Sequence, residues 1–139
     1  MQRLAFGSID FQVDMGISGE WEELLLFRSQ LVLASRLAGI QAPIDGVSTA
    51  IDDTDQLRVD TLRARRMGFG AKLCIHPIQV APVNLSFRPT PQEVAWAKRV
   101  LDAMAAARGA AVSVDGKMVD RPVMLKAEQI INESKRSPS

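Results

Sequence analysis

The sequence predicts an α/β fold of parallel strands joined by crossover helices. Short apolar runs of strand length alternate with segments of helical periodicity, giving strand–helix–strand–helix–strand as far as Ile75. The helical segments open on acids or hydroxyls and close on glycine or arginine, as the helix dipole and end-capping require. A chain of 139 residues, 47% hydrophobic and 24% charged, has the size and composition of a folded domain with its own core.

The first strand is Leu4 to Gly7, an apolar run that breaks at Phe6-Gly7-Ser8 and delivers a carboxylate at Asp10. Ser18-Gly19-Glu20 then opens a helix with Leu24, Phe27, Leu31, Ala34 and Ala38 at helical spacing, stopped by Gly39. Ile40 to Val47 reads as the second strand. Asp52, Asp53 and Asp55 crowd the start of the next helix, and Arg65 and Arg66 precede its stop at Gly68, so the acids are read as caps. The third strand, Ala71 to Ile75, ends at His76-Pro77 and is followed by a short helix through Val80 and Val83, weakened by Pro82. Thr90-Pro91-Gln92-Glu93 combines a hydroxyl cap, a first-turn proline and a glutamate three residues on, and predicts a helix running to about Gly109. Asp115-Gly116, flanked by Ala111–Val114 and Lys117–Val119, predicts a tight hairpin. Asp120-Arg121-Pro122 starts the last helix, and the tail from Ser134 to Ser139 is expected to fray. Three parallel strands cannot close a barrel, and as an open sheet they present two unpaired edges.

A formal net charge of +1 gives no electrostatic reason to expect a nucleic acid or an acidic membrane as partner. The basic cluster Arg63, Arg65 and Arg66 reads as a solvated helix face. One cysteine, Cys74, allows no disulfide framework and no thiolate metal site; inside an apolar run it reads as a small buried thiol. With no leader-like start and no apolar stretch of membrane-spanning length, a reducing, cytoplasmic setting is the expectation.

Five runs, FGSIDFQVDMGI, IDGVSTAIDD, GFGAKLCIHPIQVAPVN, PTPQEVAWAKRVL and VDGKMVDRP, occur in that order. Together they resemble the carboxy-terminal half of the citrate lyase beta-subunit family, CoA-ester lyases of the HpcH/HpaI aldolase superfamily that also include malyl-CoA and citramalyl-CoA lyases. The resemblance implies the C-terminal part of a TIM (β/α)8 barrel, about strands six to eight, in residues 1–109, and a hairpin-and-helix extension in residues 110–139. It further implies magnesium-dependent retro-aldol cleavage of a 3-hydroxyacyl-CoA to an acyl-CoA and a small oxoacid. The family's second magnesium ligand, a glutamate, and its substrate-gripping arginine lie on earlier strands that these residues do not include. The rival expectation is a truncated or split lyase fragment without catalysis of its own, acting as a folded or interaction module. In either case the open edges predict a homo-oligomer, or a partner supplying an amino-terminal half.

From the residues alone, Asp10 either caps the turn that follows or offers an oxygen to a hard cation. The resemblance makes it a magnesium ligand that also contacts substrate, with the Gly7-Ser8-Ile9 backbone facing the oxoacid carboxylate, so Ile9 joins the binding set. Asp120 before Arg-Pro is a helix cap, and the resemblance adds proton transfer at the acyl-CoA alpha carbon in a neighbouring subunit; one carboxylate can do both. His76, the only histidine, fixes a turn and by resemblance sits near the CoA-facing loops. Asp45, with Gly46, ends the second strand, where it sets the turn or contacts CoA or the oxoacid. Trp21 and Trp96 are read as helix-packing residues. None of the recognised glycine-rich phosphate loops is present.

Overall fold

Strand pleating sorts the first three chain segments into two rows of opposite fate. The computed structural model describes residues 2–136, in two units, one ending at Phe87 and the other beginning at Arg88. In the first unit, β1 (Ile44–Asp45) pairs in parallel with β2 (Ala71–Lys72), in the register Ile44 to Ala71 and Asp45 to Lys72. The stretch around Ala5 joins the other edge of β1: Ala5 bridges Ile44, the Phe6 amide donates to the Ile44 carbonyl, and the Ile44 amide donates to the Leu4 carbonyl. Side chains alternate between faces along a strand. The row Phe6, Asp45 and Lys72 is therefore buried, whereas Ala5, Ile44 and Ala71 on the opposite face are exposed or half-buried.

Helices make the crossovers. The turn after Phe6 leads directly into α1 (Ser8–Met15), where a strand end and a break were expected. The sequence from Ser18 to Ala38 forms a 3-10 turn at Glu22–Leu24 and then α2 (Leu25–Leu37). Phe11 stands edge-on between Phe6 and Phe27, with ring centroids 5.6 and 4.6 Å apart, which locks α1 and α2 onto the first strand segment. Helix α3 (Thr54–Met67) is capped by Asp53, whose carboxylate accepts from the Gln56 amide at 3.0 Å, so one of the crowded acids is the expected cap. Cys74 is only half-buried rather than enclosed. Beyond it, a 3-10 turn at Pro77–Gln79 runs into α4 (Val80–Phe87), so Pro82 falls in a first helical turn, where a missing N–H costs nothing.

In the second unit, α5 (Pro91–Ala107) carries the expected capping box: Glu93 N–H donates to Thr90 Oγ1 and Thr90 N–H to Glu93 Oε2, both at 3.1 Å. Strands β3 (Val112–Val114) and β4 (Lys117–Val119) form the expected antiparallel hairpin. Asp115 and Gly116 at its turn have φ of 52° and 76°, the paired positive values of a type I′ turn. Asp120 caps α6 (Arg121–Ser134) by accepting from the Val123 amide at 3.3 Å. Ala97 and Val100 of α5 share a core with Val119, Ala127 and Ile130. Through that shared core α5 packs with the hairpin and α6, and the two units divide before it, whereas the sequence reading sets a boundary between residues 109 and 110. Ser134 closes α6, and the tail from 137 to 139 lies outside the described residues.

Candidate functional site

Two polar groups lie at the carboxyl ends of the parallel segments. The first is α1, which starts one residue after Gly7 and carries Asp10 in its first turn, where a negative charge favours the helix dipole. Asp10 is exposed, and its carboxylate makes no hydrogen bond or ion pair with any described residue. It borders a shallow, open hollow with Phe11, Val13 and Asp14. The Ser8 amide is used by the Phe6 carbonyl at 2.9 Å. The Ile9 and Asp10 amides are left as first-turn donors without an intrahelical acceptor.

The second group is buried behind that helix. Asp45 is fully enclosed, and its Oδ1 accepts from Arg28 Nε at 2.9 Å. Lys72 Nζ stands 3.6 Å from Asp45 Oδ2, close enough for charge attraction but too long for a hydrogen bond, and Oδ2 has no hydrogen-bond partner. The Lys72 ammonium instead donates to the Gly46 carbonyl at 2.6 Å. Desolvation pushes the Lys72 pKa below its ordinary 10.5, and the Asp45 charge opposes that fall. Arg28 also donates to the Glu20 carbonyl at 2.6 Å, and its guanidinium lies 4.3 Å from the centre of the Trp21 ring.

Around this charge cluster a satisfied network ties the strand-end loops together. Asp60 of α3 accepts from Trp21 Nε1 (3.0 Å), Gln56 Nε2 (2.8 Å) and Ser48 Oγ (2.8 Å). Gln79, only 1% exposed, donates to the Ser48 carbonyl and accepts from the Ile75 amide, both at 2.9 Å. The narrow cleft lined by Ser8, Ile9, Gln12, Trp21, Arg28, Asp60 and Lys72 measures about 10 Å3, space for roughly one water.

Only some of the expected site residues come together. Ile9 lines the cleft, and Asp10 sits one residue on, outside it. Asp45 lies on the buried face of its strand, where Arg28 and Lys72 enclose it. His76 is exposed, and its Nδ1 accepts from the Ile78 amide at 3.1 Å, which leaves the ring proton on Nε2. Asp120 is exposed at the start of α6, in the second unit. Trp21 is more than a packing residue, since it is flanked by Arg28 and Arg63, the latter 5.1 Å from its ring centre. Sequence reasoning missed Arg28, Lys72, Asp60 and Gln79. The available signal was a lone arginine inside LLLFRSQLVL and a lone lysine inside GAKLCI, each a charge in an apolar run.

As a site for a hard cation, the described residues offer a part and not a whole. A free carboxylate beside unpartnered amides suits one oxygen ligand of an ion that keeps other positions open. No group of three His, Cys, Asp or Glu side chains converges among the described residues.

Parallel strands joined by helices, with polar groups at the strands' carboxyl ends, define a β/α protein of the kind that builds its sites at that end. The chain belongs to the HpcH/HpaI aldolase/citrate lyase family, whose sequence profile matches residues 1–77. It is similar to a citrate lyase subunit beta-like protein of Deinococcus radiodurans, 42% identical over 91% of this chain and 46% of the relative. It is also similar to the mitochondrial citramalyl-CoA lyase of Rattus norvegicus, 31% identical over 94% of this chain and 40% of that protein. Among solved structures, CitE from Mycobacterium tuberculosis in complex with magnesium, acetoacetate and coenzyme A superposes with a TM-score of 0.85 at 31% identity, covering 95% of this chain and 51% of that one. The chain thus spans about half the length of the relatives it matches. No helix among the described residues is long and apolar enough to cross a membrane.

Proposed function

We propose that this chain forms the last three strands and the carboxy-terminal extension of a (β/α)8 CoA-ester lyase. The reaction is magnesium-dependent retro-aldol cleavage of a 3-hydroxyacyl-CoA, of the citryl-, malyl- or citramalyl-CoA type, to an acyl-CoA and an oxoacid. The observation that carries the reading is the free Asp10 carboxylate, in the first turn of the helix that follows a parallel strand segment. Its support is the chain's likeness to a structure that holds magnesium, acetoacetate and coenzyme A.

Each residue has a stated task. Asp10 offers a carboxylate oxygen to the metal, and the Ile9 and Asp10 amides hydrogen-bond the oxoacid carboxylate. Magnesium, when bound, supplies Lewis-acid polarisation of the oxoacid oxygen. Asp120, acting at the site of a neighbouring copy, gives a proton to the alpha carbon of the departing acyl-CoA. The Nε2–H of His76 faces outward as a donor for the CoA portion. Full activity needs a second metal ligand and a carboxylate-gripping cation from strands beyond these residues.

A second reading has its own observation. The row Ala5, Ile44 and Ala71 is exposed or only half-buried, and no group of three His, Cys, Asp or Glu side chains converges among the described residues. On that reading the chain is a folded module without catalysis, completed by another copy or by a polypeptide that supplies further strands. The discriminating assay follows oxoacid release from the three CoA esters, with magnesium and with EDTA. It is run on the chain alone and on the chain mixed with a polypeptide covering the rest of a relative's length. The lyase reading expects magnesium-dependent release from the mixture, abolished by Asp10→Ala. No release under any condition supports the second reading.

A further inference from the structure

A buried ammonium needs a reason, because an apolar side chain of the same length avoids the desolvation cost of Lys72. Among the described residues its only hydrogen bond, at 2.6 Å, is to the carbonyl of Gly46, the residue just beyond the end of β1. Gly46 in turn presses on the start of α1. A Cβ built on it lands 2.1 Å from Ser8 Oγ, 2.8 Å from Ser8 Cβ and 3.0 Å from the Phe6 carbonyl oxygen. Real side chains do not approach so closely, so the absence of a side chain at 46 is what lets the two strand ends meet. Ser8, 4% exposed, is the first residue of α1, and Asp10 follows it in the same turn.

We infer that Lys72 and Gly46 are positioning residues for the Asp10 carboxylate: the ammonium draws the Gly46 backbone against Ser8 and so sets the first turn of α1. This rests on Asp10 being a metal ligand, as proposed above. The chain of contacts runs from β2, across the end of β1, to the helix that follows the first strand segment. Asp45 completes the device by compensating the charge of Lys72 without competing for its hydrogen bond.

The test uses the full chain with Mn2+ as probe. Mn2+ affinity is read by electron paramagnetic resonance, and the α1 amides by hydrogen exchange. Lys72→Met and Gly46→Ala should each weaken Mn2+ binding about tenfold, the size of effect seen for residues that orient a ligand from behind. Each should also speed exchange at residues 8–11 more than in the rest of the first unit. Adding Ser8→Gly to Gly46→Ala removes the two nearest clashing atoms, leaving only the Phe6 carbonyl oxygen at 3.0 Å, and should restore most of both readings. If Lys72→Met fails to fold, the Gly46→Ala and Ser8→Gly pair decides alone. Wild-type affinity and exchange in Gly46→Ala, or an even rise in exchange across the unit, overturns the inference. Undiminished Mn2+ binding in Asp10→Ala overturns the lyase reading instead, and leaves the exchange data to judge the tether.

Discussion

Removing the Asp45 carboxylate should unfold the first unit far more readily than its size suggests. Asp45 and Lys72 have side chains 0% and 2% exposed, and Arg28 is 5% exposed, so Asp45→Ala strands two cations away from water. Breaking a buried pair in this way costs about 3–5 kcal/mol. Arg28 keeps the Glu20 carbonyl and the Trp21 ring, and Lys72 keeps the Gly46 carbonyl, which places the cost near the lower end, at about 3 kcal/mol. With a urea m-value of about 2 kcal/mol/M, the unfolding midpoint falls by about 1.5 M. Trp21 emission reports the transition, and a Trp96→Phe background silences the tryptophan of the second unit. The triple replacement Arg28→Met, Asp45→Leu, Lys72→Met removes all three charges together and should lie close to the wild type, since uncharged packing replaces buried ion pairs at little cost. A midpoint shift for Asp45→Ala below about 0.5 M, or a triple variant as unstable as the single one, would refute the reasoning.

The remaining predictions are narrower. Burial holds the Lys72 pKa below 10.5, so between the folded value and 10.5 the unfolded chain binds more protons and stability should rise with pH. Burial raises the Cys74 thiol from its ordinary 9.0, which has the opposite sign, so the rise is to be measured by urea titration in Cys74→Ala and should vanish when Lys72→Met is added. Thr90→Ala removes one half of the capping box and should cost about 1 kcal/mol, read from the unfolding of the second unit by Trp96 emission. At Asp120 the cap and the proposed proton transfer separate. Asp120→Asn keeps an N-cap and should melt within about 0.5 kcal/mol of wild type while abolishing oxoacid release in the complemented assay; Asp120→Ala should lose the release and about 1 kcal/mol as well.

The elements were legible where local chemistry decides them. The Thr90 and Asp53 caps, the Asp115-Gly116 turn and the Asp120 start depend on a few adjacent residues, and each forms as the sequence predicts. The resemblance also led to the correct family, through motifs spread along the chain. Helix α1 was not legible, because SIDFQVDM has a weak apolar stripe and its stability comes from Phe11 between two rings supplied by other elements. The second and third strands were read too long, since backbone pairing stops where the loops turn away to meet Ser48 and Gln79. The buried charges were the largest omission. Apolar patterning assumes that charged side chains face water, and only the register of Asp45 against Lys72 shows that these two compensate each other.

The most direct measurement maps where a divalent ion sits on the full chain. Adding substoichiometric Mn2+ to the isotopically labelled protein broadens amide signals near the bound ion. The account predicts broadening centred on residues 7–11 in the wild type and its loss in Asp10→Ala. Broadening centred instead on Asp52, Asp53 and Asp55, or unchanged by Asp10→Ala, would contradict it.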